Sequence, residues 1–284
     1  MNEPLKGVRI ISIATNLPGP LAAARLAAFG ADVIKVEPPV GDALAAAAPD
    51  WYRELVSRQH VKVIDLKAES GRGEFHELLA GADLLLTSSR PVALERLGLS
   101  WPALSARYPR LCQVAIVGHS GAAADLPGHD LTYQAEVGLI DGAMPRSPYA
   151  DFTGAERAVS ETCAALLARE LHGRSSYREV SLADAAAYLA EPLRRGLTTE
   201  TGRLGGGFPG YAIYPAREGR VAVACLEPHF WQRLKEGLAV DGSRASIEEA
   251  FLQRTASAWH EWAQERDIPL ARINDEARHS GDRA

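Results

Sequence analysis

VRIISIATNLPGPLAAARLAAFGADVIKVE, residues 8–37, decides the fold. Val8 to Ala14 is an apolar run rich in β-branched residues, as in a buried strand. It leads through Asn16-Leu17-Pro18-Gly19-Pro20 into LAAARLAAFG, whose alanine and leucine content favours a helix ended by Gly30. DVIKVE, Asp32 to Glu37, supplies the next strand. Outward from this unit the pattern repeats: KVIDL reads as strand, GRGEFHELLAG as helix, ADLLLTS and LCQVAIV as strands. Such alternation indicates a parallel sheet covered by helices. Ligands collect at the C-terminal ends of strands in open α/β sheets, so the loops beginning near Ala14, Thr87 and Val117 are the expected rim of a site.

FTGAERAVSETCAALLAREL, following Asp151, has helical apolar spacing and is closed by Gly173; it reads as the longest helix. The glycine cluster Gly205-Gly206-Gly207 then marks a mobile boundary. Beyond it YAIYPAREGRVAVACLEP reads as a hairpin, with helices near Phe230–Leu238, Ile247–Leu252 and Ala256–Glu265. The expected organisation is a large α/β domain over 1–196, a glycine-rich linker over 197–210 and a small α+β domain over 211–284, ending in a loose RHSGDRA tail.

Composition excludes several classes. With 46% hydrophobic and 24% charged residues in 284, the chain is an ordinary globular one. A net charge of −5 without a basic stripe argues against nucleic-acid binding. No run reaches the roughly 18 uncharged apolar residues of a membrane span, and MNEPLKGVRIISIA lacks a signal-peptide pattern, so a cytoplasmic location is expected. Cys112, Cys163 and Cys225 are far apart and read as buried thiols. Neither HExxH nor CxxC occurs, so no metal is expected. The triple glycine does not fit GxGxxG after a strand, which excludes a dinucleotide loop there.

Seven stretches, in order, resemble the family III CoA-transferases (CaiB/BaiF): GPLAAARLAAFGADVIKVEPPVGD, VIDLK, RPVALERLGL, YPRLCQVAIVGHSG, PGHDLTYQAEVGLI, YADFTGA and LEPHFW. The resemblance implies a Rossmann-like large domain with a smaller one, in an intertwined homodimer. GHDLTY and CLEPHF are most similar to the α-methylacyl-CoA racemases, which makes Asp151, His129 and Glu227 the implied catalytic constellation. The transferases use the same aspartate as a nucleophile, through an acyl anhydride and a CoA thioester. The resemblance also implies CoA contacts at Arg96, Arg90, Ser88, Ser89 and main chain of Ile64, Asp65 and Leu66, and a pantetheine end lined by Gly128, Asp130 and Tyr133. No cofactor is implied beyond coenzyme A as part of the substrate.

Inverting a carbon beside a thioester requires one group to remove a proton and another to return one. An imidazole and a carboxyl suit this near neutral pH, and Glu227 would fix the imidazole tautomer. A main-chain amide of Asp151 or Phe152, at the start of the long helix, is expected to face the thioester oxygen. Taken alone, Asp151 is a helix cap, His129 a turn residue after Pro127-Gly128, Glu227 a loop carboxylate, and Arg90 and Arg96 solvated charges; their joint match carries the weight. His119 is a minor candidate. The chain departs from its relatives at Pro38, where arginine is common, at VSRQHV, and in the shortened VGHSGAAADLPG. It reads as a C-terminally short member. Three functions follow: an acyl-CoA racemase, a CoA-transferase, or a non-catalytic acyl-CoA-binding relative.

Overall fold

Six strands form one parallel sheet in the order β3-β2-β1-β4-β5-β6: β1 (Arg9–Ser12), β2 (Asp32–Glu37), β3 (His60–Val63), β4 (Leu84–Thr87), β5 (Cys112–Val117) and β6 (Tyr177–Ser181). The structure is a computed structural model describing residues 3–274; the RHSGDRA tail lies outside the described residues. Nine helices of this region follow in chain order: α1 (Pro18–Ala28), α2 (Ala43–Ala47), α3 (Pro49–Val56), α4 (Glu69–Ala80), α5 (Pro91–Arg96), α6 (Trp101–Arg107), α7 (Asp130–Glu136), α8 (Tyr149–His172) and α9 (Leu182–Leu189). Ile10 pairs with Val33 on one side and Leu84 on the other. These three, with Leu86, Val114 and Ile116, point into a core filled by Leu26 of α1 and Ala155, Ala158 and Leu166 of α8. Ile11, Val36 and Leu85 point the other way, onto Phe75 and Leu79 of α4, Leu94 of α5 and Leu104 of α6. Successive residues of a strand face opposite sides, so a strand buried on both faces must be apolar throughout; β4 and β5 are buried at every position.

α8 is the longest helix, 24 residues, and ends at Gly173 with φ 67°, a left-handed cap that glycine adopts without strain. Its buried Arg169 pairs with the Asp83 carboxylate at 2.9 Å and donates to the Asp83 and Arg110 carbonyls at 3.1 Å each, fixing the helix end against the strands. The Asp83 carboxylate also accepts from the Arg9 amide at 2.7 Å.

The chain divides into two compact units, Met1–Ala190 and Glu191–Ala284. The division falls six residues or so before the expected boundary at 196, and the stretch 197–210 lies inside the second unit rather than between two domains. That stretch is tied by its own backbone: Leu204 N–H donates to Leu197 O at 2.8 Å and Gly207 N–H to Gly202 O at 2.9 Å. A Cβ at Gly205 would stand 1.9 Å from Thr199 O, so its glycine serves close packing instead of mobility. The second unit holds α10 (Glu191–Arg194), the hairpin β7 (Tyr211–Pro215) and β8 (Arg220–Ala224), α11 (Pro228–Leu238), α12 (Arg244–Phe251), α13 (Ala256–Gln264) and β9 (Leu270–Arg272). β9 adds antiparallel to β8, and Tyr214, Phe251, Trp259 and Trp262 pack the core in tilted and edge-on pairs. Among the described residues no helix is long and apolar enough to cross a membrane.

Candidate active site at the sheet's switch point

The strand order 3-2-1-4-5-6 reverses direction between β1 and β4. Connections leaving those two strands run apart, and a crevice opens above their C-terminal ends. A cavity of about 200 Å³ sits there, lined by Thr15, Asn16, Ser88, Arg90 and Gly118 from the loops after β1, β4 and β5, by Val117 at the end of β5, and by His129, Tyr133 and Asp151. All three expected rim loops contribute.

The loop after β1 is held by charge buried beneath it. Lys35, fully buried on β2, donates to Ala14 O at 3.1 Å and to Asp42 Oδ2 at 2.7 Å, and the Asp42 side chain is itself inaccessible. The other Asp42 oxygen accepts from the Asn16 and Leu44 amides at 3.1 and 3.0 Å. Asn16 has φ 67°, which few non-glycine residues adopt, and the Asp42 bond holds it there. Ser88 Oγ accepts from the Thr15 amide at 2.9 Å and donates to its carbonyl at 3.2 Å, joining the two diverging loops. Tyr52 donates to Glu37, which stands 3.6 Å from Lys35; burial first, then this carboxylate, pushes the Tyr52 phenol well above its ordinary value.

His129 is the residue before α7, its amide donating to Thr132 Oγ1 at 3.1 Å. One turn on, Tyr133 is buried, its ring edge-on to His119. Its hydroxyl lies against Gly118, where a Cβ would come within 2.4 Å of it, and its ring against Gly128, where a Cβ would come within 2.5 Å. Asp151 stands in the first turn of α8. Burial first, and the neighbouring Asp130 carboxylate second, raise its carboxyl to about 7. Desolvation disfavours the anion and a like charge adds to it. A carboxyl held near neutrality and an imidazole therefore line one cavity, an arrangement suited to acid–base chemistry.

One expectation fails at the start of α8, as does the plain cap reading of Asp151. Asp151 is not the cap; Asp130 caps the helix from α7, its Oδ1 accepting from the Ala150 and Asp151 amides at 2.7 and 3.1 Å. The Phe152 amide donates to Pro148 O at 3.1 Å. Neither amide expected to face a thioester oxygen is free to do so.

Of the other expected contacts, Ser88, Arg90, Gly128 and Tyr133 line the cavity, while Ser89 neighbours it in sequence. Ile64, Asp65 and Leu66 follow β3, two strands from β1, and the exposed Arg96 ends α5; these four do not line it. Glu227 belongs to the second unit, immediately before α11. Sequence reasoning missed Thr15 and Asn16 as lining residues, and Lys35 and Asp42 beneath them. A larger concavity, about 850 Å³, lies in the second unit on the face of β7 and β8, with Glu200 and Arg244 as its charged groups. Among the described residues no histidine lines it.

Fold and site define a doubly wound α/β protein with a carboxyl and an imidazole lining one cavity at the switch point. The family model for CoA-transferase family III matches residues 5–282, and the chain belongs to that family. It is 31% identical over 258 residues to the succinyl-CoA:(R)-benzylsuccinate CoA-transferase subunit BbsE of Thauera aromatica, covering 80% of this chain and 61% of that protein. The α-methylacyl-CoA racemase of Mus musculus is 29% identical over 276 residues, covering 90% and 69%. The cinnamoyl-CoA:phenyllactate CoA-transferase of Clostridium sporogenes is 36% identical over 151 residues, covering 49% and 37%. The chain thus spans less than two thirds of the length of these two transferases. A CaiB/BaiF family protein from Brucella suis superposes with a TM-score of 0.81 at 22% identity, covering 100% of this chain and 87% of that one. Rv3272 of Mycobacterium tuberculosis gives 0.85 at 23%, covering 99% and 88%. These two likenesses establish the fold.

Proposed function

We propose that this protein is an acyl-CoA racemase or epimerase that moves the α-proton of a 2-methylacyl-CoA-type thioester. The observation that carries this reading is the single cavity lined by both His129 and Asp151. One of the pair takes the α-proton, leaving the thioester enolate; the other, protonated, returns a proton to the same carbon. Atoms and charge balance within the site, and each group ends in its partner's starting state. The near-neutral carboxyl of Asp151 supports the exchange of roles, because a base and its conjugate acid are then both populated at working pH. In this reading Arg90 and Ser88 meet the CoA portion, with Gly128, Asp130 and Tyr133 at the pantetheine end, and Glu227 keeps the role that the resemblance implies for it. Ser89, Arg96 and the 64–66 main chain bind the nucleotide end. A cytoplasmic homodimer completes the proposal, and sedimentation of the purified chain tests the dimer.

The test is isotope exchange. In deuterated water a panel of branched acyl-CoAs gains label at the α-carbon, and His129→Ala lowers the rate by about a hundredfold to ten-thousandfold, the span of general acid–base catalysis. No label from any member of the panel contradicts the reading. The transferase relatives favour a second reading, in which the Asp151 carboxylate attacks the thioester carbonyl, expels CoA thiolate and forms a mixed anhydride. Hydroxylamine trapping of Asp151 during turnover with an acyl-CoA and a free acid supports that reading, and exchange without trapping excludes it.

A further inference from the structure

We infer that Asp130 is a positioning residue for Asp151: its carboxylate takes the helix-terminal amides that would otherwise serve the Asp151 anion, and it places a second negative charge beside it. This rests on the proton-transfer role proposed for Asp151. A carboxylate in the first turn of a long helix is ordinarily stabilised by the free amides and the helix dipole. In α8 every first-turn amide is spoken for. Tyr149 N–H goes to Ser147 O at 2.9 Å and Phe152 N–H to Pro148 O at 3.1 Å, while those of Ala150 and Asp151 go to Asp130 Oδ1. Pro148, at the cap position, has no polar side chain to share the task. Gln134, buried on α7, donates to Asp130 Oδ2 at 2.5 Å and locks the carboxylate in place.

The two carboxyls are therefore unequal. Asp130 accepts three N–H bonds, whereas among the described residues no donor is directed at the Asp151 carboxyl oxygens. Asp151, buried and without a donor, is the carboxyl that keeps its proton toward neutral pH. The titratable and charged groups sharing the cavity are His129 and Tyr133 from the α7 segment and Arg90 from the loop after β4; the loops after β1 and β5 and helix α9 contribute none. Glu136, farther along α7, acts on Tyr133. Asp130 is thus the negative group closest in kind and placement to Asp151, and the helix start is arranged around it.

Asp130→Asn keeps an oxygen acceptor for the two amides and removes the charge; Asp130→Ser does so with a smaller side chain. The Asp151 carboxyl is followed directly by NMR of the full chain carrying isotope-labelled aspartate carboxyls, assigned by loss of its signal in Asp151→Asn. The wild-type midpoint is expected at about 7, and in either neutral variant it falls by about one pH unit. The pH dependence of α-proton exchange shifts in the same direction, a change that loss of a purely structural cap does not produce. An unshifted Asp151 midpoint in both folded variants overturns the inference. Absence of exchange in every variant, wild type included, overturns the functional reading instead, and the carboxyl titration still decides the role of Asp130.

Discussion

Asp151 costs the fold stability when it is ionised. Its carboxyl, ordinarily near 3.8, is held at about 7 in the folded chain. Below about pH 4 both folded and unfolded chains carry the proton; between there and 7 only the folded chain does, so stability falls as pH climbs through that window. Above 7 the cost is complete, about 2 kcal/mol once partial exposure is discounted. Asp151→Asn is therefore more stable than wild type at pH 8, and the difference vanishes near pH 4, as urea unfolding at the two pH values would register. Lys35 and Asp42 behave oppositely, since each satisfies the other in a site without solvent. Asp42→Ala leaves the Asn16 and Leu44 amides unpaired and the buried Lys35 ammonium with only the Ala14 carbonyl and the more distant Glu37 carboxylate, and costs about 3 kcal/mol in denaturant unfolding. That pair was not legible beforehand: Lys35 within DVIKVE looks like any solvent-facing charge of a strand, and only the fold brings Asp42 over it. Asp130 was hidden for a similar reason, because its cap serves amides twenty residues away.

At the scale of elements, the β1–α1–β2 unit was legible because its apolar runs, its Pro-Gly break and its helix-forming alanines all point one way. α8 and its Gly173 end were legible on the same grounds. β6 escaped, since YREVS carries two charges in five residues and is only partly buried at the sheet edge; β9 escaped because three residues carry no period. α7, seven residues long, likewise lacks a periodic face of its own, although it carries Asp130 and Tyr133. Its seat beside α8 and α9 depends on two glycines that Tyr133 packs against. Gly118→Ala forces a methyl against the Tyr133 hydroxyl, and Gly128→Ala one against the ring. Each is expected to displace α7, to destabilise the fold by about 1–3 kcal/mol and to slow α-proton exchange more than the stability loss explains. Thermal unfolding beside exchange rates measured well below the melting temperature separates the two effects.

For the whole molecule, the sheet order places chemistry at one crevice from loops far apart in sequence: Thr15, Ser88, His129 and Asp151 meet although some 136 residues separate the first from the last. Strand alternation made the rim predictable, because the C-terminal ends of a doubly wound sheet are where loops converge. It did not single out His129 and Asp151; that came from the family likeness of GHDLTY and YADFTGA. Nor did it reveal that the 197–210 stretch packs within the second unit, since glycines that permit close backbone approach and glycines that permit motion look alike in sequence.

The central claim is that two different groups, the His129 imidazole and the Asp151 carboxyl, serve the same α-carbon from separate directions. Exchange of that proton with deuterated water, followed from each pure enantiomer of one 2-methylacyl-CoA, tests it most directly. Initial wash-in from one enantiomer should be lost preferentially in His129→Ala and from the other in Asp151→Asn. Equal loss from both enantiomers in one variant, with no loss in the other, would contradict it.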